Sequence, residues 1–315
     1  MRRNNRAACK MVLAMACALP VIAAPRSAPP ADSETGFSGA RAFDDLKHLV
    51  SYGPRPAGSK PLSDSRKWMV SQLEQMGYKV EEDIFQADTP VGSITMINLR
   101  VIIPGTSPKV VMLAGHYDTA RFEKFTFVGA NDGGSSAAFL LEMARALAHR
   151  KNAFTTWLVF FDGEEAEEQW SATDSLYGSR HFVDKLTATG ELGRVQAMIL
   201  VDMIGDAKLH IDRDGNSTPW LTDVVFQTAK RLGYGKVFLD EQAAYGDDHT
   251  PFVNAGVAAV DLLGNVGPAT PSSSFGSYWH TTKDTLDKCS PQSLGIVGRV
   301  VLGAMEALEK SPRLN

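Results

Sequence analysis

From residue 110 to the C-terminus, short apolar runs alternate with amphipathic stretches, and few folds accept that pattern. Residues 110–113, 155–161, 197–202 and 257–263 are rich in β-branched, aliphatic and aromatic side chains and have the length of buried strands. Between and after them lie segments with helical spacing. Residues 133–149 align Leu140, Met143, Ala144 and Leu147, and residues 175–186 form a second helix. Thr218-Pro219 opens a third helix and Ser290-Pro291 a fourth, the last aligning Leu294, Val297, Val301, Ala304 and Leu308. Alternation of this kind predicts an α/β fold with a mixed, mostly parallel central sheet and helices on both faces. Upstream, residues 79–85 and 94–103 predict an antiparallel pair at the early edge, after helices at 41–50 and 61–77. No internal repeat or later linker divides the chain, so residues 40–315 are expected to form one domain.

The first forty residues read differently. Arg2, Arg3, Arg6 and Lys10 precede an apolar run, 11–24, that ends in Ile22-Ala23-Ala24. A basic start, a short apolar stretch and a small-residue exit predict an export signal over 1–24, and hence a periplasmic or secreted protein. The run is too short to span a bilayer comfortably. The alternatives are an N-terminal anchor that stays attached and lipid attachment at Cys17. Residues 25–39, rich in Pro, Ala, Ser and Gly, are expected to be a disordered leader. Removal of the signal would take Cys9 and Cys17 with it and leave Cys289, which cannot form an internal disulfide alone. A net charge of −4 and the lack of a basic stripe with interleaved aromatics exclude a nucleic-acid partner.

Chemistry-bearing residues collect where the strands end. After 110–113 comes Gly115-His116-Tyr117-Asp118, and Gly129-Ala130-Asn131-Asp132-Gly133-Gly134 precedes the next helix. After 155–161 come Asp162-Gly163 and the adjacent Glu164 and Glu165; after 197–201 comes Asp202, and Trp279-His280 stands before the last helix. Ligands of open α/β sheets bind beyond the carboxyl ends of the strands. Imidazole and carboxylate together suit zinc with a position left open for catalysis. Each residue alone has a plainer explanation: a structural histidine, a capping aspartate, an acidic loop continuing into Glu167-Glu168. Their common placement at strand ends favours a site.

The order of these residues resembles the zinc aminopeptidase family that also contains the animal-type glutaminyl cyclases, from about Arg41 to the C-terminus. Within it, FFDGEEA followed by Trp170 and DSLYGSRH is most similar to the cyclases, as are GDDHTPF (246–252) and Trp279-His280-Thr281. The resemblance implies a zinc-exopeptidase-like fold in which Asp132, Glu165 and His280 hold one zinc. It implies Glu164 as general acid/base, Asp202 and Asp247 as a hydrogen-bonded acidic network beside it, and Trp170 and Trp279 as pocket walls. The implied reaction is cyclisation of an N-terminal glutamine, on a peptide or protein, to pyroglutamate with loss of ammonia. A cis peptide directly after Asp132 is also implied.

Two positions depart from the family. Asp261 stands where many animal cyclases have histidine, and Gly115 and Ser136 stand where the secreted ones often carry a disulfide pair. The alternative activity is a two-zinc aminopeptidase, with His116 and Asp202 as ligands of a second zinc and Asp132 bridging. A catalytically inert binding domain is the third reading, which the intact set of candidate ligands and acids opposes.

Overall fold

The computed structural model describes residues 36–265 and 275–314. The expected export signal, with Cys9 and Cys17, lies outside the described residues, as does most of the expected leader. The leader's last residues are not disordered, however. Ser38 accepts a hydrogen bond from Arg41 N and caps α1 (Gly39–Ser51). Phe37 is fully buried, its ring 5.2 Å from that of Phe139. Burial of one aromatic outweighs the Pro- and Ser-rich composition around it, so the ordered domain starts before residue 40.

After α1 and α2 (Lys60–Gln75), β1 (Val80–Thr89) and β2 (Gly92–Ile103) pair antiparallel, as their sequence predicts. Then follow β3 (Ser107–His116), α3 (Ser135–Leu147), β4 (Phe154–Phe161), α4 (Tyr177–Thr189) and β5 (Val195–Asp202). The last part runs β6 (His210–Asp214), α5 (Pro219–Arg231), β7 (Phe238–Ala243), α6 (His249–Asn254), β8 (Ala259–Asn265) and α7 (Pro291–Glu309). One eight-stranded sheet results, in the order β1-β2-β4-β3-β5-β8-β6-β7. Its centre, β4-β3-β5-β8, is parallel, while β2 on one side and β6 on the other join antiparallel.

Alternation along the strands divides the core. Val111, Leu113, Leu158, Phe160, Ile199 and Val201 face the cluster built with α1, α2, α3, α5 and α7. Met112, Ala114, Trp157, Val159, Met198 and Leu200 face Phe182 of α4 and Phe252 of α6. Strands buried on both faces read as continuous apolar runs, which is why they were visible in the sequence. Register then sets the site: His116 pairs with Phe161, and Ala114 with Leu200, two residues before Asp202. The carboxyl ends of β3, β4 and β5 therefore lie along one rim.

Thr218 precedes α5 as expected, but its hydroxyl does not cap the helix; it accepts a hydrogen bond from Ala259 N and ties β8. Cys289 is a free, buried thiol. Among the described residues, no helix is long and apolar enough to cross a membrane.

Candidate active site

β4 ends at Phe161, and the chain turns through Asp162 and Gly163 into the paired glutamates. Asp162 fastens the turn: its carboxylate accepts from Ile97 N at 2.8 Å and Tyr117 Oη at 3.2 Å, and its N–H donates to Asn98 at 3.0 Å. Burial, with Asp118 nearby, pushes the Asp162 carboxyl up to about 8. Asp118 receives the next two amides, Glu164 N at 3.2 Å and Glu165 N at 3.3 Å, one on each oxygen. With both backbone N–H groups held, the glutamate side chains diverge.

Asp132 is delivered by a turn over Ala130–Gly134. Asp284 accepts from Asn131 N at 2.8 Å and from Asp132 N at 3.0 Å. Arg55, itself buried, closes the turn from below by donating to the carbonyls of Val128 (2.9 Å) and Gly129 (3.1 Å). The expected cis peptide after Asp132 is not present, for no peptide bond among the described residues is cis. The reversal is made instead by Gly133 at φ 75°, a left-handed conformation that glycine adopts without steric cost. Ser135 rather than Gly133 starts the helix.

The Asp132 carboxylate sits between two imidazoles, one oxygen toward each. Oδ2 lies 3.3 Å from His280 Nε2, which is 3.0 Å from Glu165 Oε1. Oδ1 lies 3.3 Å from His116 Nε2, which is 3.0 Å from Asp202 Oδ1. All five expected metal-ligating residues thus meet, as two donor clusters sharing Asp132. The buried Asp132 Oδ2 has no hydrogen-bond partner. An orphaned carboxylate oxygen facing an imidazole and a second carboxylate is the donor set zinc takes. His280 (φ 52°) and Met203 (φ 49°), which follows Asp202, hold conformations unusual for non-glycine residues. Such backbone tends to gather at functional sites.

A cavity of about 420 Å³ opens onto this centre, lined by Asp132, Glu164, Glu165, Asp202, Asp247, Trp170, Phe275 and Trp279 among others. Trp279 stacks on the His280 ring at 3.8 Å and meets the Phe275 ring, tilted, at 4.7 Å. Trp170 is 45% exposed and forms part of the rim rather than an inner wall. Burial raises the Glu164 carboxyl well above the usual range, opposed by His116 and reinforced by Glu165 and Asp247. Asp247 is raised likewise by burial and by Asp202, and Asp202 by burial against the pull of His116.

Asp118 and Asp174 stand in the motifs quoted from the sequence without a role assigned to them, and Asp284 and Arg55 were not singled out there. Asp174 accepts from Glu167 N (2.8 Å), Glu168 N (3.0 Å), Gln169 N (2.8 Å) and Tyr177 Oη (2.8 Å), which shapes the loop carrying Trp170. At the departing pair, a Cβ on Gly115 would stand 2.8 Å from Ser136 Cβ, so the two positions are neighbours.

The chain matches the model of peptidase family M28 over residues 98–305. It is 31% identical to the glutaminyl-peptide cyclotransferase-like protein of Bos taurus over 287 residues, covering 78% of this chain and 70% of that one. The glutaminyl-peptide cyclotransferase of Dictyostelium discoideum is 27% identical over 308 residues, 82% of each chain. Among solved structures, the glutaminyl cyclase of an Acidobacteriales bacterium superposes with a TM-score of 0.83 at 40% identity, over 91% of this chain and 98% of that one. A family match across most of the sheet, around a donor set of this geometry, places the chain in peptidase family M28.

Proposed function

We propose that this protein is a glutaminyl-peptide cyclotransferase, converting the N-terminal glutamine of peptides or proteins to pyroglutamate with release of ammonia. The observation that carries the reading is Glu164. Its carboxyl lines the cavity beside the Asp132–Glu165–His280 cluster, and burial raises it above the ordinary carboxyl value, which favours its accepting a proton from an amine. The relatives just described, all named for glutaminyl cyclisation, support the same conclusion.

Asp132, Glu165 and His280 would hold the zinc. Bound there, zinc supplies a Lewis acid toward the side-chain amide carbonyl of the substrate. The remaining chemistry belongs to the protein and the substrate. The α-amine attacks the δ-carbon of its own side chain, forming the ring C–N bond, and Glu164 accepts the amine proton. Glu164 then returns that proton to the amide nitrogen, the old C–N bond breaks, and ammonia leaves. Asp247 adds to burial in raising the Glu164 carboxyl and so helps it hold the proton between the two steps, and Asp202 acts on Asp247 in the same way. No water is a reactant, so fixing the flexible glutamine side chain matters most. Trp279 and Phe275 provide apolar walls for that task, with Trp170 at the rim.

The His116–Asp132–Asp202 cluster favours a second reading, a two-zinc aminopeptidase. Assaying Gln-β-naphthylamide and Leu-p-nitroanilide side by side separates the two. Cyclised product and ammonia from the first, with no hydrolysis of the second, is the expected result; hydrolysis of both overturns it. The basic and apolar segment 1–24 further supports action outside the cytoplasm, which cell fractionation tests.

A further inference from the structure

A third group of metal-type donors lies away from the cavity lining. Asp214 ends β6, His249 begins α6 and Asp261 sits within β8; one donor atom from each lies within 4.8 Å of the others. All three are buried, at 4%, 0% and 1% exposure. Ordinary hydrogen bonding accounts for Asp214 but not for the other two. Both oxygens of Asp261 and both ring nitrogens of His249 are buried without a hydrogen-bond partner. His249 Nε2 stands 3.1 Å from Asp214 Oδ2, and Nδ1 stands 3.9 Å from Asp261 Oδ2. The first contact is close but off the line along which an N–H would donate. Two donors to one cation stand in that relation, since each points at the metal and not at the other; zinc bonds of about 2.0–2.2 Å put them a little over 3 Å apart.

The surroundings call for positive charge. Burial acts first on Asp261, and the charges it feels most are those of Asp247, Asp214, Asp202 and Asp248, all carboxylates. Unpaired buried carboxylates are costly, and a divalent cation would neutralise two of them. Asp214 is fixed in its orientation by Ser217 Oγ (2.7 Å) and Tyr245 N (2.9 Å), while Ser217 Oγ also accepts from Asp261 N (2.9 Å). Two of the three donors are therefore pre-positioned by one serine.

We propose that Asp214, His249 and Asp261 form a buried binding site for a divalent cation of the zinc type, distinct from the two clusters that share Asp132. Imidazole with two carboxylates suits such an ion better than calcium or magnesium, which take oxygen ligands. The site joins β6, β8 and the first residue of α6, two residues beyond Asp247, so its cation would fix the segment that presents Asp247 to the cavity.

Zinc counted per chain after loading and desalting tests this, and it does not depend on which reaction the enzyme performs. Asp132→Ala removes the donor common to both cavity clusters. That protein should still hold about one zinc per chain, and Asp132→Ala with Asp261→Asn should hold none. An Asp132→Ala protein without zinc overturns the proposal, as does a double variant that keeps it. Should the double variant not fold, Asp132→Ala alone decides: zinc that raises its melting temperature supports the site, and zinc without effect overturns it.

Discussion

Glu164 and Glu165 are adjacent in sequence, yet their carboxylates face different imidazoles. Glu165 Oε1 lies 3.0 Å from His280 Nε2, and Glu164 Oε2 lies 3.8 Å from His116 Nδ1. The divergence follows from Asp118, which holds both backbone N–H groups and leaves the side chains to leave the chain in opposite senses. It predicts a separation of phenotypes. Glu164→Gln keeps the shape and spares the zinc donors, so kcat should fall by roughly a hundred- to ten-thousand-fold with zinc content unchanged. His280→Ala should lose the cavity zinc and activity together. Metal analysis beside steady-state kinetics checks both, and a Glu164→Gln enzyme with near-normal cyclisation would remove the assigned role.

Asp174 offers a second test, remote from the metal. Burial pulls its carboxyl up, but the N–H groups of Gln169 and Glu167, the Tyr177 hydroxyl and the Glu168 N–H outweigh that, and its pKa lies below the ordinary value. A depressed pKa means the anchoring is fully present above the unfolded-state value and is lost as pH falls through the folded one. The loop over 164–177 should therefore stay closed throughout neutral and mildly acidic pH. Asp174→Ala should open it at every pH, lowering kcat/KM by about a hundredfold through misplacement of the cavity wall. Limited proteolysis within 168–173 reports the opening directly. Equal protease resistance in both proteins would show that Asp174 does not hold the loop.

The strand ends were legible because each closes an apolar run, and their order carried the family resemblance. Other parts of the site gave no such signal. β6 (HIDRD), β7 (FLDEQA) and α6 (HTPFVN) are short and polar, so neither period is visible in them. Asp284 holds the Asp132 turn from 152 residues away in sequence, inside a threonine- and lysine-rich stretch that reads as loop. Asp261 was visible only as a departure from the family. What it approaches, His249, is set by the pairing of β5 with β8 and by α6 packing beneath, neither of which a linear pattern contains.

Phe37 tests where the folded domain begins. Its side chain is fully buried beside Phe139, and a Cβ on Gly298 of α7 would run into its ring. Phe37→Ala should cost about 3–5 kcal/mol, the usual range for truncating a buried aromatic side chain. Denaturant unfolding at constant m measures it. A loss below about 0.5 kcal/mol would mean that the segment before α1 contributes nothing to the core.

Gly133 makes the strictest demand of all, because the whole Asp132 turn reverses there at a left-handed φ. At φ 75° any side chain is disfavoured, by about 1–2 kcal/mol for an L-residue. A methyl group would in addition run into the Asp118 carbonyl oxygen and approach His116 Cε1 at 3.2 Å. Backbone oxygen cannot swing aside as a flexible side chain does, so Asp118 itself must move. Its carboxylate holds the amides of Glu164 and Glu165, and one methyl therefore disturbs the acid/base and the zinc donor Glu165 together. Gly133→Ala should keep the native circular dichroism spectrum, because α3 starts at Ser135 and the sheet does not depend on the turn. It should nevertheless lose zinc from the cavity and nearly all cyclase activity. A Gly133→Ala protein that binds zinc and turns over normally would show that Asp118 is not the strut between the Asp132 turn and the paired glutamates.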